Sequence, residues 1–300
     1  MEKLDLTVVI LTYNEERHIS RCIENVRPIA KRIVLVDCFS KDRTKEIATG
    51  LGAEVIEHTW PGNQAAQFNW GVDNIEINTE WVLRLDADEY LLSELKQELC
   101  QRLALLDKSI TGIEFKRRHI FMGRWVKHGI YPVIILRMFR NGCARYDNRL
   151  MDEHMILTNG QSVVFENDFC DHSLIDISDY CRKHLNYAQR EAVEVLDDEF
   201  ALTHKSVNEK GHGAQALDKH KKKGKYNKMP LFWRSFAYFL YRYIFKGGFL
   251  DGKEGFMFTF IQGWWYRTLI DAKIYEAKKA CGDDKEKLKK YIKENWKIEL

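Results

Sequence analysis

The sequence predicts an α/β fold, a mostly parallel central sheet with helices on both faces, followed by a helical C-terminal extension. Three observations carry this expectation. The first ninety residues alternate between short apolar runs and helix-period segments, the order that builds parallel sheets with crossover helices. The apolar runs are continuous rather than alternating, as strands buried on both faces require. Three of the four runs end in polar clusters, "TYNEE", "DCFSKD" and "DADE", and ligands of such sheets bind outside the carboxyl ends of the strands.

Each element follows in turn. "LTVVILT" (Leu6–Thr12) reads as the first strand, and Glu16–Val26 has helical character. "RIVLVD" (Arg32–Asp37) is the second strand. "RTKEIATGLG" is a short helix closed by glycine, with Asp42 as N-cap. "AEVIEH" is a third strand, Gln64–Val72 fits a helix, and "WVLRLD" is a fourth strand. A helix runs from Ser93 to about Leu106, and "GIEFKRR" and "VIILRMFR" read as further strands. Asp176–Leu196 is a long helical pattern with a polar start. Thr203–Lys228, rich in Lys, His and Gly, reads as a linker or mobile basic loop. The expected organisation is a catalytic domain over 1–200, a basic linker over 201–228 and an aromatic-rich helical region over 229–300.

Composition narrows the function. The net charge of +3 over 300 residues gives no electrostatic footprint for nucleic acid. Seven scattered cysteines without a CxxC pair read as reduced thiols in a cytoplasmic protein. The N-terminus runs straight into a strand, so no signal peptide is expected. No uncharged apolar stretch is long enough to span a bilayer.

Four motifs bear on chemistry. "DADE" (Asp86, Asp88, Glu89) crowds carboxylates at a strand end, which calls for a metal ion, basic side chains or plain solvation. Oxygen ligands in Asp-x-Asp spacing suit Mg²⁺ or Mn²⁺, which keep positions for water and phosphate. The plain alternative is an acidic turn capping the next helix. In "VDCFSKDRT", Asp37 ends a strand, with Ser40 and Asp42 in the turn. A carboxylate there suits a nucleobase N–H or a ribose hydroxyl, or simply braces the turn. "LTYNEE" lacks the Gly-rich turn of a dinucleotide site, which argues against nicotinamide or flavin chemistry. "MDEHM" holds a second acidic cluster, Asp152 and Glu153, a general-base candidate if it folds over the first. His172 in "CDHSL" is a metal-ligand candidate, although a lone histidine is more often a core residue. No HxxxH spacing supports a zinc hydrolase.

Together, "VVILTYNEE", "IVLVDCFSKDRT", "AAQFNWG" and "WVLRLDADE" resemble the family-2 inverting glycosyltransferases of GT-A fold. "RLMDEHM", "CDHSLIDISDYCRKHLNYAQREA" and "FKGGFLDGKEGF" resemble the subgroup of lipopolysaccharide-core β-1,4-glucosyltransferases. The resemblance implies residue roles. Thr12, Tyr13 and Glu15 would line the nucleotide pocket. Asp37 would hold the base, with Ser40 and Asp42 nearby, and Gln64 and Asn69 would sit by the ribose or diphosphate. Asp86 would contact ribose or metal, Asp88 would ligate the metal, and His172 would approach the metal or diphosphate. Glu153 matches the catalytic base, with Asp152 as the adjacent candidate.

The implied reaction moves a sugar, UDP-glucose being the donor the resemblance suggests, to a glycan or lipid-linked acceptor in bacterial surface-polysaccharide or lipopolysaccharide-core synthesis. Mg²⁺ or Mn²⁺ would neutralise the diphosphate against the "DADE" carboxylates. The rival readings are a sugar-nucleotide nucleotidyltransferase and a non-catalytic, membrane-associated binding protein. "PLFWRSFAYFLYRYIF" bears on the last point. At helical spacing Trp233, Phe236, Leu240, Tyr243 and Ile244 share one side, with Arg234, Tyr238, Arg242 and Lys246 on the other. Such a helix lies in a membrane interface or packs on the core. The expected place of work is the cytoplasmic face of the inner membrane.

Overall fold

The computed structural model describes residues 3–147, 154–203 and 224–300. Asp152, Glu153 and most of the expected basic linker lie outside the described residues. The chain forms two compact units. The first holds 3–127, 131–147 and 154–174, and the second is built mainly from 175–203 and 224–300.

The first unit is a nine-stranded sheet. Its strands are β1 (Leu4–Thr12), β2 (Ala30–Asp37), β3 (Glu54–Glu57), β4 (Trp81–Asp86), β5 (Glu89–Leu91), β6 (Ile110–Phe121), β7 (Arg124–Val126), β8 (Val133–Arg140) and, after a short separate ladder of β9 (Ala144–Tyr146) and β10 (Met155–Leu157), β11 (Gln161–Asp171). The order is β3-β2-β1-β4-β8-β6-β11-β5, with β7 folded onto β6. The pairs β3–β2, β2–β1, β1–β4 and β6–β11 are parallel. β8 is antiparallel to both neighbours, and β5 is antiparallel to β11. Six strands therefore point one way, and the carboxyl ends of β1, β2, β4, β6 and β11 share one edge.

Burial explains the continuous apolar runs. Leu6, Val8 and Ile10 of β1 point to one face and join a core completed by Ile19, Cys22, Ile23 and Val26 of α1 (Ile19–Val26) and Leu95 and Leu99 of α4 (Ser93–Arg102). Val9, Val34 and Val36 face the other side, under Ala65 and Phe68 of α3 (Gln64–Asn74). β1 and β2 have helices on both faces, so both of their side-chain rows are apolar. Gly71 lets α3 lie close: a β-carbon there would come within 2.8 Å of Val36 Cγ2. α2 (Thr44–Gly50) has Arg43 rather than Asp42 at its N-cap, and Asp42, one residue earlier, accepts from the Thr44 N–H at 3.0 Å.

In the second unit the long helix α5 (Ile177–Phe200) is capped by Asp176, whose carboxylate accepts from the N–H groups of Ser178 and Asp179. It packs along the helix Tyr266–Cys281, whereas the sequence reading ended the first domain at residue 200. Trp233–Leu240 runs into a π-helical turn, Tyr241–Phe245. Gly252–Phe258 passes through a π-helical stretch, Thr259–Trp265, into Tyr266–Cys281. Of the side of this aromatic segment expected to be polar, Arg234 and Arg242 are turned inward, Tyr238 is half-buried and Lys246 is exposed. Arg234 is 1% exposed and ion-paired with Asp271, its Nε donating to Oδ1 at 2.7 Å. Arg242 is also buried, while Trp233, Tyr241, Ile244 and Phe245 are exposed. Helical spacing put Arg234 and Arg242 on one side but left open whether it faced inward, because pairing with a distant carboxylate is invisible locally. No helix among the described residues is long and apolar enough to cross a membrane.

Candidate active site

The shared sheet edge collects most of the residues singled out from the sequence. Thr12 and Asp37 are register partners at the ends of β1 and β2, and the Thr12 hydroxyl donates to Asp37 Oδ2 at 2.7 Å. Ser40 closes a turn on the same carboxylate, its N–H donating to Oδ1 and its hydroxyl to Oδ2, each at 2.6 Å. Asp37 is fully buried. These donors shape the loop around it. The loop is tied to the one after β1: Asn14 N–H donates to Ser40 Oγ, and Lys41 N–H to Asn14 Oδ1. Asp42 accepts from the Glu16 N–H, and the Thr44 hydroxyl accepts from the Glu15 N–H. The Glu15 carboxylate bonds His18 Nδ1 at 2.6 Å, and His18 Nε2 accepts the Leu174 N–H at 2.8 Å. Since Nε2 accepts, the ring proton sits on Nδ1 and is donated to Glu15.

Tyr13 and Phe39 leave these neighbouring strand ends half exposed. Phe39 holds φ +58°, a left-handed conformation that is uncommon for a bulky residue and costs of order 1–3 kcal/mol. Phe39 was not singled out from the sequence, because its backbone conformation leaves no local signal.

The acidic cluster after β4 is neutralised by arginines. Asp86 takes Arg84 Nη2 on Oδ1 at 2.8 Å and Arg137 Nη2 on Oδ2 at 3.2 Å. Glu89, fully buried, takes Arg137 on Oε1 at 2.5 Å and the Asp86 N–H on Oε2 at 2.9 Å. Burial works against the Arg137 charge, but Glu89 and Asp86 outweigh it and hold the guanidinium protonated. Burial pushes the Glu89 carboxyl up, against the pull of Arg137. Both Asp86 oxygens therefore face guanidinium groups, which answer the like-charge crowding of "DADE". Arg84 was within reach of the sequence, because residues two apart on a strand share a face and Arg84 and Asp86 are so spaced. Arg137 was not, because β8 reaches β4 only through the sheet order.

Gln64 accepts from Arg84 Nη2 at 3.2 Å, so it joins this network. Asn69 does not face a ligand edge through its amide: Nδ2 donates to the Tyr146 carbonyl at 3.1 Å and Oδ1 accepts the Tyr146 N–H at 3.0 Å. Its expected place beside the ribose or diphosphate is corrected to a pin between α3 and β9.

Asp88 and His172 are brought together. The His172 N–H donates to the Asp88 carbonyl at 3.0 Å. Arg21 of α1 straddles the pair, with Nη2 donating to the Asp88 and His172 carbonyls at 3.0 and 2.6 Å and Nη1 lying 3.1 Å from His172 Nδ1. A guanidinium only donates, so Nδ1 accepts and the neutral ring carries its proton on Nε2. Burial, then the Arg21 charge, lowers the His172 pKa and keeps the ring neutral. This tautomer offers an N–H, which suits a phosphate oxygen. Among the described residues no three His, Cys, Asp or Glu side chains converge on a metal-binding position. A divalent ion fits here only as Mg²⁺ and Mn²⁺ often bind, on one carboxylate with substrate phosphates and water completing the shell. Asp88 is the carboxylate to which the family resemblance assigns that role.

Replacing Arg137 by Met should destabilise the first unit by about 3–5 kcal/mol, because the buried Glu89 carboxyl would lose its partner and Asp86 one of its two guanidinium groups. Arg137→Met combined with Glu89→Gln should recover much of that loss. Denaturant midpoints of the two proteins measure it, and equal instability of single and double variants would contradict the pairing.

Comparison with known proteins adds to this geometry. An uncharacterised glycosyltransferase of Rickettsia typhi is 39% identical over 94 residues, 31% of each chain. The lipopolysaccharide core biosynthesis glycosyltransferase LpsC of Rhizobium meliloti is 31% identical over 155 residues, 48% of this chain and 54% of LpsC. The match thus spans about a third of the rickettsial relative and about half of LpsC. Among solved structures, glucosyl-3-phosphoglycerate synthase from Mycobacterium tuberculosis aligns over 38% of this chain and 43% of its own, at 20% identity and a TM-score of 0.31. The observed sheet, parallel from β3 to β4 and mixed beyond, agrees with the GT-A type fold expected. The profile described as glycosyl transferase family 2 matches residues 7–170, more than half of the sequence, and the chain belongs to that family.

Proposed function

We propose that the protein is an inverting glycosyltransferase that moves a sugar from a nucleotide-diphosphate donor, UDP-glucose as the first candidate, to a glycan or lipid-linked acceptor of bacterial surface-polysaccharide or lipopolysaccharide-core synthesis. The observation that carries this is the convergence of Thr12–Glu15, Asp37–Asp42, Asp86–Glu89 and His172 on one sheet edge within the family's matched region. Tyr13 and Phe39 suit the two sides of a nucleobase, with the Asp37 turn beneath. Asp88 would hold Mg²⁺ or Mn²⁺ on the donor. The bound ion offsets the charge of the diphosphate leaving group. The His172 Nε2–H and the Arg21 charge favour the same phosphates. Glu153, or Asp152 beside it, takes the proton of the acceptor hydroxyl as the new glycosidic bond forms at the anomeric carbon and the bond to the diphosphate breaks.

The test is a donor screen by nucleotide-diphosphate release with Mg²⁺ or Mn²⁺, followed by acceptor trials. Release of a nucleoside diphosphate supports the reading. Formation of pyrophosphate from a nucleoside triphosphate and a sugar phosphate would favour a nucleotidyltransferase, and no turnover of any donor would favour a binding protein.

We also propose peripheral contact with the inner membrane at its cytoplasmic face, through the second unit. Tyr241, Ile244, Phe245, Phe249 and Leu250 are exposed within ten consecutive residues, and the exposed charges between Tyr241 and Met257 are Lys246 and Lys253. Exposed aromatics with basic neighbours favour an anionic lipid interface. Phe245→Ser with Phe249→Ser should abolish co-flotation with phosphatidylglycerol liposomes while leaving donor hydrolysis unchanged. Undiminished flotation of that variant would remove this surface from membrane contact.

A further inference from the structure

The second unit contains three arginines whose charges lie close beneath one group of aromatic rings, and they are not equally compensated. Arg234 is neutralised by Asp271. Arg242 and Arg267 form no ion pair among the described residues. Arg242 is 5% exposed, and its Nε and Nη2 atoms are buried without a hydrogen-bond partner among those residues. Arg267 Nε and the hydroxyl of Thr259, itself 1% exposed, are in the same condition. The ring of Tyr238 lies between the two guanidinium groups, 5.5 Å from Arg242 Cζ and 4.2 Å from Arg267 Cζ. Glu191 favours the charge of Arg267, yet it also accepts from the Tyr266 hydroxyl at 2.8 Å. The Tyr238 phenol also favours both charges, and Tyr226 that of Arg267, but these are neutral groups, and neither guanidinium has a carboxylate of its own in an ion pair among the described residues.

A buried arginine with unmade hydrogen bonds is strongly unfavourable unless something occupies its donors. The backbone geometry around this pair is unusual as well. Arg242 lies within one π-helical turn, and Thr259 opens a second one that ends just before Arg267. Such insertions occur often at functional sites. Gly263, in the second π-helical stretch, leaves room beside Arg242: a β-carbon there would lie 3.6 Å from Thr259 Cγ2 and 4.0 Å from Arg242 Nη1.

We propose that Arg242 and Arg267, with the Thr259 hydroxyl, form an anion site in the second unit that takes a phosphate group. The donors are guanidinium and hydroxyl groups, which match phosphate oxygens in number and geometry. The group is either a free phosphate or the phosphate of a lipid headgroup. Exposed Tyr241 and Ile244 on the Arg242 turn are compatible with both. This site is independent of the sugar-transfer reading, since none of its residues belongs to the sheet edge.

The experiment is thermal unfolding of the full chain in inorganic phosphate against potassium chloride at matched ionic strength, with parallel binding to vesicles. Wild-type protein should gain several degrees in phosphate relative to chloride, since a ligand of the native state alone stabilises it. Arg242→Met should lose this response. Its melting temperature in chloride should equal or exceed that of wild type, because an uncompensated buried charge has been removed. Gly263→Ala, which fills the cradle without backbone strain, should bind phosphate about tenfold more weakly and remain folded. A response to phosphatidylglycerol vesicles but not to inorganic phosphate, absent with neutral phosphate-free glycolipid vesicles, would identify the lipid source. Equal melting in phosphate and chloride together with equal binding to both kinds of vesicle would overturn the site. So would a phosphate response that persists undiminished in Gly263→Ala and Arg242→Met.

Discussion

Asp88→Ala should abolish sugar transfer and leave the protein folded. The Asp88 carbonyl accepts from the His172 N–H and from Arg21, and alanine keeps both bonds. Its carboxylate is only part-buried, unlike the fully buried Glu89, which is held by Arg137. The mutation therefore removes charge from the sheet edge without opening the core. Asp86 is paired with Arg84 and Arg137, and the proposed function gives the divalent ion to Asp88. Losing it leaves the diphosphate leaving group without its counter-charge, an effect of several kcal/mol on the barrier. Circular dichroism and thermal melting should match wild type while nucleotide-diphosphate release falls to background. Metal-dependent turnover at the wild-type rate would remove Asp88 from the site.

Glu153→Gln should leave donor binding intact and lower kcat by about 10²–10⁴-fold, the usual contribution of a general base. Glutamine keeps the size and some hydrogen bonding of the side chain but takes no proton at neutral pH. Asp152→Asn, measured beside it, should be milder. If Asp152→Asn is inactive and Glu153→Gln active, the base is the preceding residue. If both turn over near the wild-type rate, the cluster in "MDEHM" does not serve as base.

The first four strands and the polar clusters at their ends were legible because they are local. A continuous apolar run of six or seven residues between helix-period segments has few other solutions, and β4 forms over Trp81–Asp86 as the run "WVLRLD" indicates. The convergence of those clusters followed from the parallel order alone. β11, which delivers His172 to the site, was not legible. "QSVVFENDFCD" mixes polar and apolar residues, and it becomes an eleven-residue strand because β6 and β5 hold its two edges.

What the sequence determined by itself is therefore the α/β class, the family resemblance and the edge where the polar residues gather. The tertiary structure decided which charges meet. The acids of "DADE" admitted metal, arginine or water, and only the placement of β8 beside β4 brings Arg137 to Asp86 and Glu89. The same holds for Arg234 and Arg242, whose helical spacing placed them correctly on one side but not inside or outside. A side chain's period is set by its neighbours along the chain. Burial and charge pairing are set by segments tens of residues away, and no local pattern records them.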